Sequence, residues 1–169
     1  MVAACPQKKV VKKTEPPEEA EEDVSSEELD IHGKDFVNSK KLENVYFGFD
    51  STELSEEARG VLAANGEFLK KNENLEILSE GHCDQRGTVG YNLALGQRRA
   101  AAVRQYYLSL GIDPKRIGTL SFGNERLACM ENTEKCWAEN RRVETKVRAV
   151  KVVNGEDSKT PEENPATTP

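Results

Sequence analysis

The segment R-V-E-T-K-V-R-A at residues 142–149 alternates residue by residue. A strand sends successive side chains to opposite faces, so Val143, Thr145, Val147 and Ala149 share one side and Glu144, Lys146 and Arg148 the other. Such a strand belongs to a sheet that is covered on one face and wet on the other. The rest of the chain must supply the cover, and two segments have the required helical stripe. In the first, Ser55 is the N-cap, Glu56 and Glu57 suit the first turn, and Ala58, Val61, Leu62, Phe68 and Leu69 form the apolar side. The second runs from Val89 to Leu110, with Leu95, Ala102, Val103, Tyr106 and Leu110 as its stripe and Gly111 as its stop. Asp113-Pro114 caps a short further turn.

Three more segments read as strands: V-Y-F-G-F at 45–49, Leu75 to Ser79, and Ile117 to Phe122. The order is β-α-β-α-β-β. The expected fold class is α+β, a sandwich of one mixed four-stranded sheet with two main helices packed on one face.

This periodicity does not extend to the ends. Residues 6–40 are dominated by Lys, Glu, Pro, Asp and Ser, and read as a disordered acidic tether. Residues 154–169 have the same character and read as a disordered tail, leaving 41–153 as the folded domain. The net charge of -6, with no Lys/Arg stripe interleaved with aromatics, argues against a nucleic-acid partner. No run of 18 apolar residues exists to cross a membrane as a helix.

The stretch G-H-C-D-Q-R-G at 81–87 crowds a histidine, a thiol, a carboxylate and a guanidinium into the loop after a strand. A zinc site needs about four ligands at short paired spacing, and Cys5, Cys83, Cys129 and Cys136 form no C-x-x-C pair, so no metal is expected. Catalysis by His82 with Cys83 is disfavoured because neighbours on extended backbone point apart, and nothing nominates an orienting partner for the histidine. A hydrolase built on paired Asp50 and Asp84 is the other catalytic alternative. His82 reads as a packing residue, Cys83 as a small hydrophobe and Arg98 as solvent-facing. Gly81 and Gly87 are expected to let the loop turn. Cys129 and Cys136 bracket the polar loop C-M-E-N-T-E-K-C. A disulfide there would contribute roughly 2–3 kcal/mol and imply an oxidising compartment; the alternative is two unpaired thiols.

Taken in order, V-Y-F-G-F-D, E-G-H-C-D-Q-R-G-T, Y-N-L-A-L-G-Q-R-R-A, S-F-G and N-R-R-V-E resemble the OmpA-like peptidoglycan-binding domain over roughly 44–150. Within it, they are most similar to the peptidoglycan-associated lipoproteins of the Tol–Pal system. The resemblance implies non-catalytic binding of the peptidoglycan stem peptide at its diaminopimelate residue, with no cofactor. By position, Asp84 would meet the ligand ammonium and Arg99 its carboxylate, while Phe49, Asp50, Arg86 and Leu95 would line the pocket. Asn140 and Arg142 lie in a signature of partly structural role. On the residues alone, a structural ion pair is the favoured reading of Asp84 and Arg99, and Asp50 could be a turn residue.

V-A-A-C at 2–5 is similar to the end of a bacterial lipoprotein signal, with Cys5 as the lipidated residue. Only Met1 precedes it, so the sequence is read as a shortened form carrying a signal remnant at 1–5. The resemblance then implies an outer-membrane location on the periplasmic face, anchored by N-terminal lipid, with TolB and other Tol proteins as partners in envelope integrity and cell division. Flagellar stator proteins and outer-membrane barrels carry similar domains. An anchor of another envelope protein is therefore the alternative, although neither a transmembrane helix nor a row of amphipathic strands is visible.

Overall fold

The computed structural model describes residues 29–31 and 35–150. Cys5, most of the segment read as a tether, and the tail from 154 lie outside the described residues. The order is β1 (Val37–Asn38), β2 (Val45–Tyr46), α1 (Glu56–Lys71), β3 (Leu75–His82), α2 (Val89–Ser109), a 3-10 turn (Pro114–Arg116), β4 (Ile117–Gly123), α3 (Glu134–Asn140) and β5 (Arg142–Ala149). β3 pairs parallel with β4 and antiparallel with β5. β1 and β2 both lie antiparallel to β5 on its other edge, opposite residues 146–147 and 142–143. The result is the expected mixed α+β sheet, with its first strand position filled by two short segments. Val37–Asn38 pairs into the sheet although it lies within 6–40.

The strand expected at 45–49 ends after Tyr46 because the chain turns: Asp50 takes φ 52, and Ser51 N–H donates to Gly48 O at 3.3 Å. Helix α3 was not anticipated. At 7 residues it is too short to show a stripe, and its one legible signal is Thr133, whose side chain caps it by accepting from Cys136 N–H.

α1 starts where expected, with Ser55 Oγ accepting from Ala58 N–H at 3.2 Å. Its buried side includes Asn65, whose amide exchanges hydrogen bonds with the backbone of Glu43 at 2.9 and 3.0 Å. In α2 the buried residues are Asn92, Leu95, Gly96, Arg99, Ala100, Val103 and Tyr107. The expected Ala102 and Tyr106 are half-buried at the flank of that stripe. Hydrophobic spacing alone misjudges the face because three polar side chains are buried in it with partners. Tyr107, for example, shares a 2.9 Å hydrogen bond with Thr145 Oγ1.

Helix α2 touches the sheet backbone to backbone. A Cβ on Gly81 would lie under 3.0 Å from the carbonyl of Gly96, and one on Gly96 under 3.0 Å from Ser121 Oγ. Gly81 therefore serves close packing inside β3 and does not turn the loop. The turning residue is Gly87, at φ 92.

The far side of the sheet is less wet than the alternation implied. Leu29 and Ile31 lie against Gly118, and Arg148 pairs with Glu76 at 2.5 Å. Further along, Lys146 Nζ holds Glu80 at 2.7 Å and Arg142 holds Glu144 at 2.6 Å. His82 lies between the two carboxylates, its Nε2 4.0 Å from each, with its ring stacked on Phe122. Glu80, His82 and Glu144 bring ligand atoms within 4.8 Å of one another, yet Lys146 and Arg142 already neutralise both carboxylates. Burial, and next the charge of Arg142, pull the imidazole down to about 4. Cys129 and Cys136 are bonded, their Cα atoms 5.2 Å apart.

Three outcomes follow from this packing. Gly96→Ala would drive a methyl into Ser121 and the β3 backbone, lowering stability by about 1–3 kcal/mol in urea titration. Reducing Cys129–Cys136, or replacing both by serine, would remove about 2–3 kcal/mol through the freed eight-residue ring. His82 titrates at about 4 when folded, against about 6.5 unfolded. Between those values the unfolded chain binds a proton that the folded chain refuses. Stability should therefore decline as pH falls from about 6.5 to about 4, by up to about 3 kcal/mol, and His82→Gln should flatten that slope.

Candidate functional site

A cavity of about 210 Å³ opens at the end of β3. The turn after β2, the loop 83–88, the first three turns of α2 and Arg141 before β5 form its walls. All six residues expected from the sequence line it: Phe49, Asp50, Asp84, Arg86, Leu95 and Arg99. Cys83, Gly87, Tyr91, Asn92 and Arg141 complete the lining.

The loop is shaped by its own polar atoms. Asp84 Oδ1 accepts from Arg86 N–H at 3.1 Å, Gly87 takes the left-handed conformation, and Asn92 Nδ2 donates to Arg86 O at 2.9 Å. Thr88 then caps α2, accepting from Tyr91 N–H at 3.3 Å. Tyr91 OH donates to Asp50 and ties the turn after β2 to this helix. Asp50 thus holds a strained turn and lines the cavity at once.

Asp84 and Arg99 do not pair. Asp84, 4% exposed, meets Arg86 Nη2 at 2.6 Å and Arg141 Nη1 at 3.3 Å. Burial raises its carboxyl, but the hydrogen bonds from Arg86 and Arg141 and the Arg86 charge outweigh burial and leave it below the ordinary value. Arg99 is fully buried, and among the described residues no carboxylate pairs with it. Nε donates to Ser51 O at 2.8 Å, Nη2 to Gly48 O at 3.0 Å, and Nη1 to His82 O at 3.1 Å and Cys83 Sγ at 3.5 Å. Carbonyl dipoles satisfy most of its N–H groups without cancelling its charge, and one N–H of Nη2 remains available.

His82 and Cys83 point to opposite sides of the sheet, one onto Phe122 and the other into the cavity. Cys83 Sγ donates to Asn92 O at 3.3 Å, and burial pushes the thiol up against the opposing pull of Arg99. The thiol stays protonated at neutral pH, so it neither pairs with His82 nor serves as a nucleophile. It is more than a filler, because it joins Arg99 to the helix backbone. Arg98 is exposed.

Asn140 is structural, gripping Ala128 N–H, Cys129 N–H and Cys129 O at 2.7–3.1 Å. Arg142 lies on the far sheet face. Arg141 was missed, although it sits inside the same N-R-R-V stretch. It precedes β5, outside the alternation, and points back to donate to Phe47 O and Glu134 as well as Asp84. Trp137 was also missed; its ring lies 4.0 Å from the Arg86 guanidinium carbon.

The OmpA family model matches residues 46–141. A peptidoglycan-associated lipoprotein of Brucella melitensis is 41% identical over 113 residues, covering 67% of this chain and 64% of that protein. One from Pseudomonas putida is 43% identical over 105 residues, covering 62% of this chain and 63% of that protein. The chain thus spans just under two thirds of the curated relatives' length. The crystal structure of the peptidoglycan-associated lipoprotein from Burkholderia pseudomallei superposes with TM-score 0.60 at 37% identity, covering 62% of this chain and 89% of that one. The C-terminal domain of Helicobacter pylori MotB shares the fold at 16% identity and TM-score 0.60, covering 64% of this chain and 85% of that one. With the family match spanning more than half of its residues and the sheet and helices arranged as in these relatives, this chain belongs to the OmpA family.

Proposed function

We propose that this domain grips peptidoglycan without cleaving it, by taking the free end of a stem-peptide diaminopimelate into the cavity beside Asp84 and Arg99. The observation that carries this reading is the separation of the two charges. One wall of the cavity presents a carboxylate and another a buried guanidinium, each satisfied by other partners. A ligand end bearing both an ammonium and a carboxylate is complementary to that pair. Arg99 suits the carboxylate because Gly48, Ser51 and His82 hold its guanidinium plane fixed, leaving one N–H of Nη2 to donate with an uncancelled charge behind it. At about 210 Å³ the cavity admits the end of an amino-acid side chain and excludes a glycan. Phe49, Asp50, Arg86 and Leu95 shape its walls. The names of the relatives support the cell wall as the ligand's source.

In this reading, lipid on Cys5 anchors the chain in the outer membrane on its periplasmic side, and the acidic segment spans the gap to the cell wall. The resemblance to the Tol–Pal lipoproteins adds TolB and other Tol proteins as partners, in envelope integrity and cell division. The bonded Cys129 and Cys136 suit an oxidising compartment.

Titration with a diaminopimelate-containing muropeptide tests the site. Asp84→Asn should weaken binding about ten- to a hundredfold, the scale of a lost charge-assisted hydrogen bond. Arg99→Ala should weaken it at least as much and also lower the melting temperature, because three carbonyls lose their donor. Undiminished binding in both variants would sink the assignment. Release of soluble fragments from purified peptidoglycan would sink the non-catalytic reading.

Asp84 titrates below its ordinary value, so it stays ionised down to and below about pH 4. Binding measured by co-sedimentation should therefore hold from neutral pH to about pH 5. It should fade only as pH drops through the lowered value of Asp84.

A further inference from the structure

Arg86 is held from four directions. Nε and Nη2 donate to Asp84 Oδ1 and Oδ2 at 3.1 and 2.6 Å. Its guanidinium carbon lies 4.2 Å from the ring centroid of Phe49 and 4.0 Å from that of Trp137. Glu134 Oε2 waits 3.9 Å from Nη1. Arg141 adds a second cation on Asp84 Oδ2 at 3.3 Å. A carboxylate carrying two guanidinium groups is a poor receptor for a third cation, whereas no carboxylate among the described residues pairs with Arg99.

We infer that Arg86 is an internal occupant of the Asp84 position, standing where the ligand ammonium will stand, and that binding is an exchange of one cation for the other. This inference rests on the stem-peptide reading above. Arg86 is the cation that yields, because its side chain is 32% exposed at the cavity mouth whereas that of Arg141 is 8% exposed and pinned by Phe47 O and Glu134. Glu134, already 3.9 Å from Nη1, receives the displaced guanidinium, which shifts against the ring of Trp137 as it goes.

The exchange has two consequences. Asp84 is never left buried and bare, so the empty pocket avoids the cost of an unpaired charge. It also makes Arg86 a specificity-determining residue. A ligand end bearing only a carboxylate, or only an amide, has nothing to put in place of the guanidinium and cannot open the site. An ammonium is required for entry.

Trp137, the single tryptophan of the chain, reports the step because the guanidinium lies against its indole. The experiment is titration of the full chain with a synthetic diaminopimelate-containing tripeptide, followed by tryptophan fluorescence and by calorimetry. Wild type should show a saturable fluorescence change with the calorimetric Kd. Arg86→Gln should bind about three- to tenfold more tightly, because the competitor is gone, with a reduced fluorescence change. Arg86→Lys, which keeps the charge and loses the fork, should fall between them, and it carries the test if the glutamine variant does not fold. Binding weakened or unchanged in both Arg86 variants, or wild-type binding that leaves the fluorescence unmoved, overturns the exchange alone. Wild type that binds nothing overturns the stem-peptide reading and the exchange with it.

Discussion

The buried guanidinium of Arg99 is the point on which the rest of the site depends. It carries a full charge at 0% exposure, and it is tolerable there because three carbonyls from two separate segments converge on it. Gly48 and Ser51 belong to the turn after β2, His82 ends β3, and Arg99 itself is on α2. That convergence requires α2 to lie against the sheet with no side chains between them, which the Gly81–Gly96 contact provides. Close packing, the shape of the turn and the position of the cation are thus one arrangement.

A second charged centre is built on the opposite logic. Asp84 is surrounded by cations, and those cations run outward through Glu134 and Trp137 to α3. α3 is short and begins inside the ring closed by Cys129 and Cys136, with Asn140 binding the same loop from the helix's other end. A helix of two turns has little stability of its own. The disulfide and the asparagine supply what it lacks, so the wall that holds Arg86 is rigid where the chain is locally weak.

Much of this architecture was legible in the residues. The alternation of 142–149, the caps at Ser55 and Asp113 and the stop at Gly111 all reflect local backbone chemistry, and the elements formed accordingly. Six of the residues that line the cavity were legible through the order of their motifs rather than through any single one. What escaped was of two kinds. Arg141 and Trp137 lie just outside strong periodic patterns, where nothing local says which way a side chain turns. In α2, Leu95 and Val103 are buried as expected, but Asn92, Arg99 and Tyr107 escaped because they are polar, and only a partner elsewhere makes a polar side chain an interior one.

The sequence by itself determined the two long helices, the longer strands, the glycine that stops α2 and which charged residues crowd one loop. These follow from periodicity, capping and steric exclusion, all of which act over a few residues. Only the tertiary structure decided which charge meets which. Arg99 finds Ser51 across 48 residues and Asp84 finds Arg141 across 57, while Asp84 and Arg99, fifteen apart, stay unpaired. The physical reason is that a buried charge takes whatever partner the fold brings within hydrogen-bond reach, and that choice is made when the sheet and helices close.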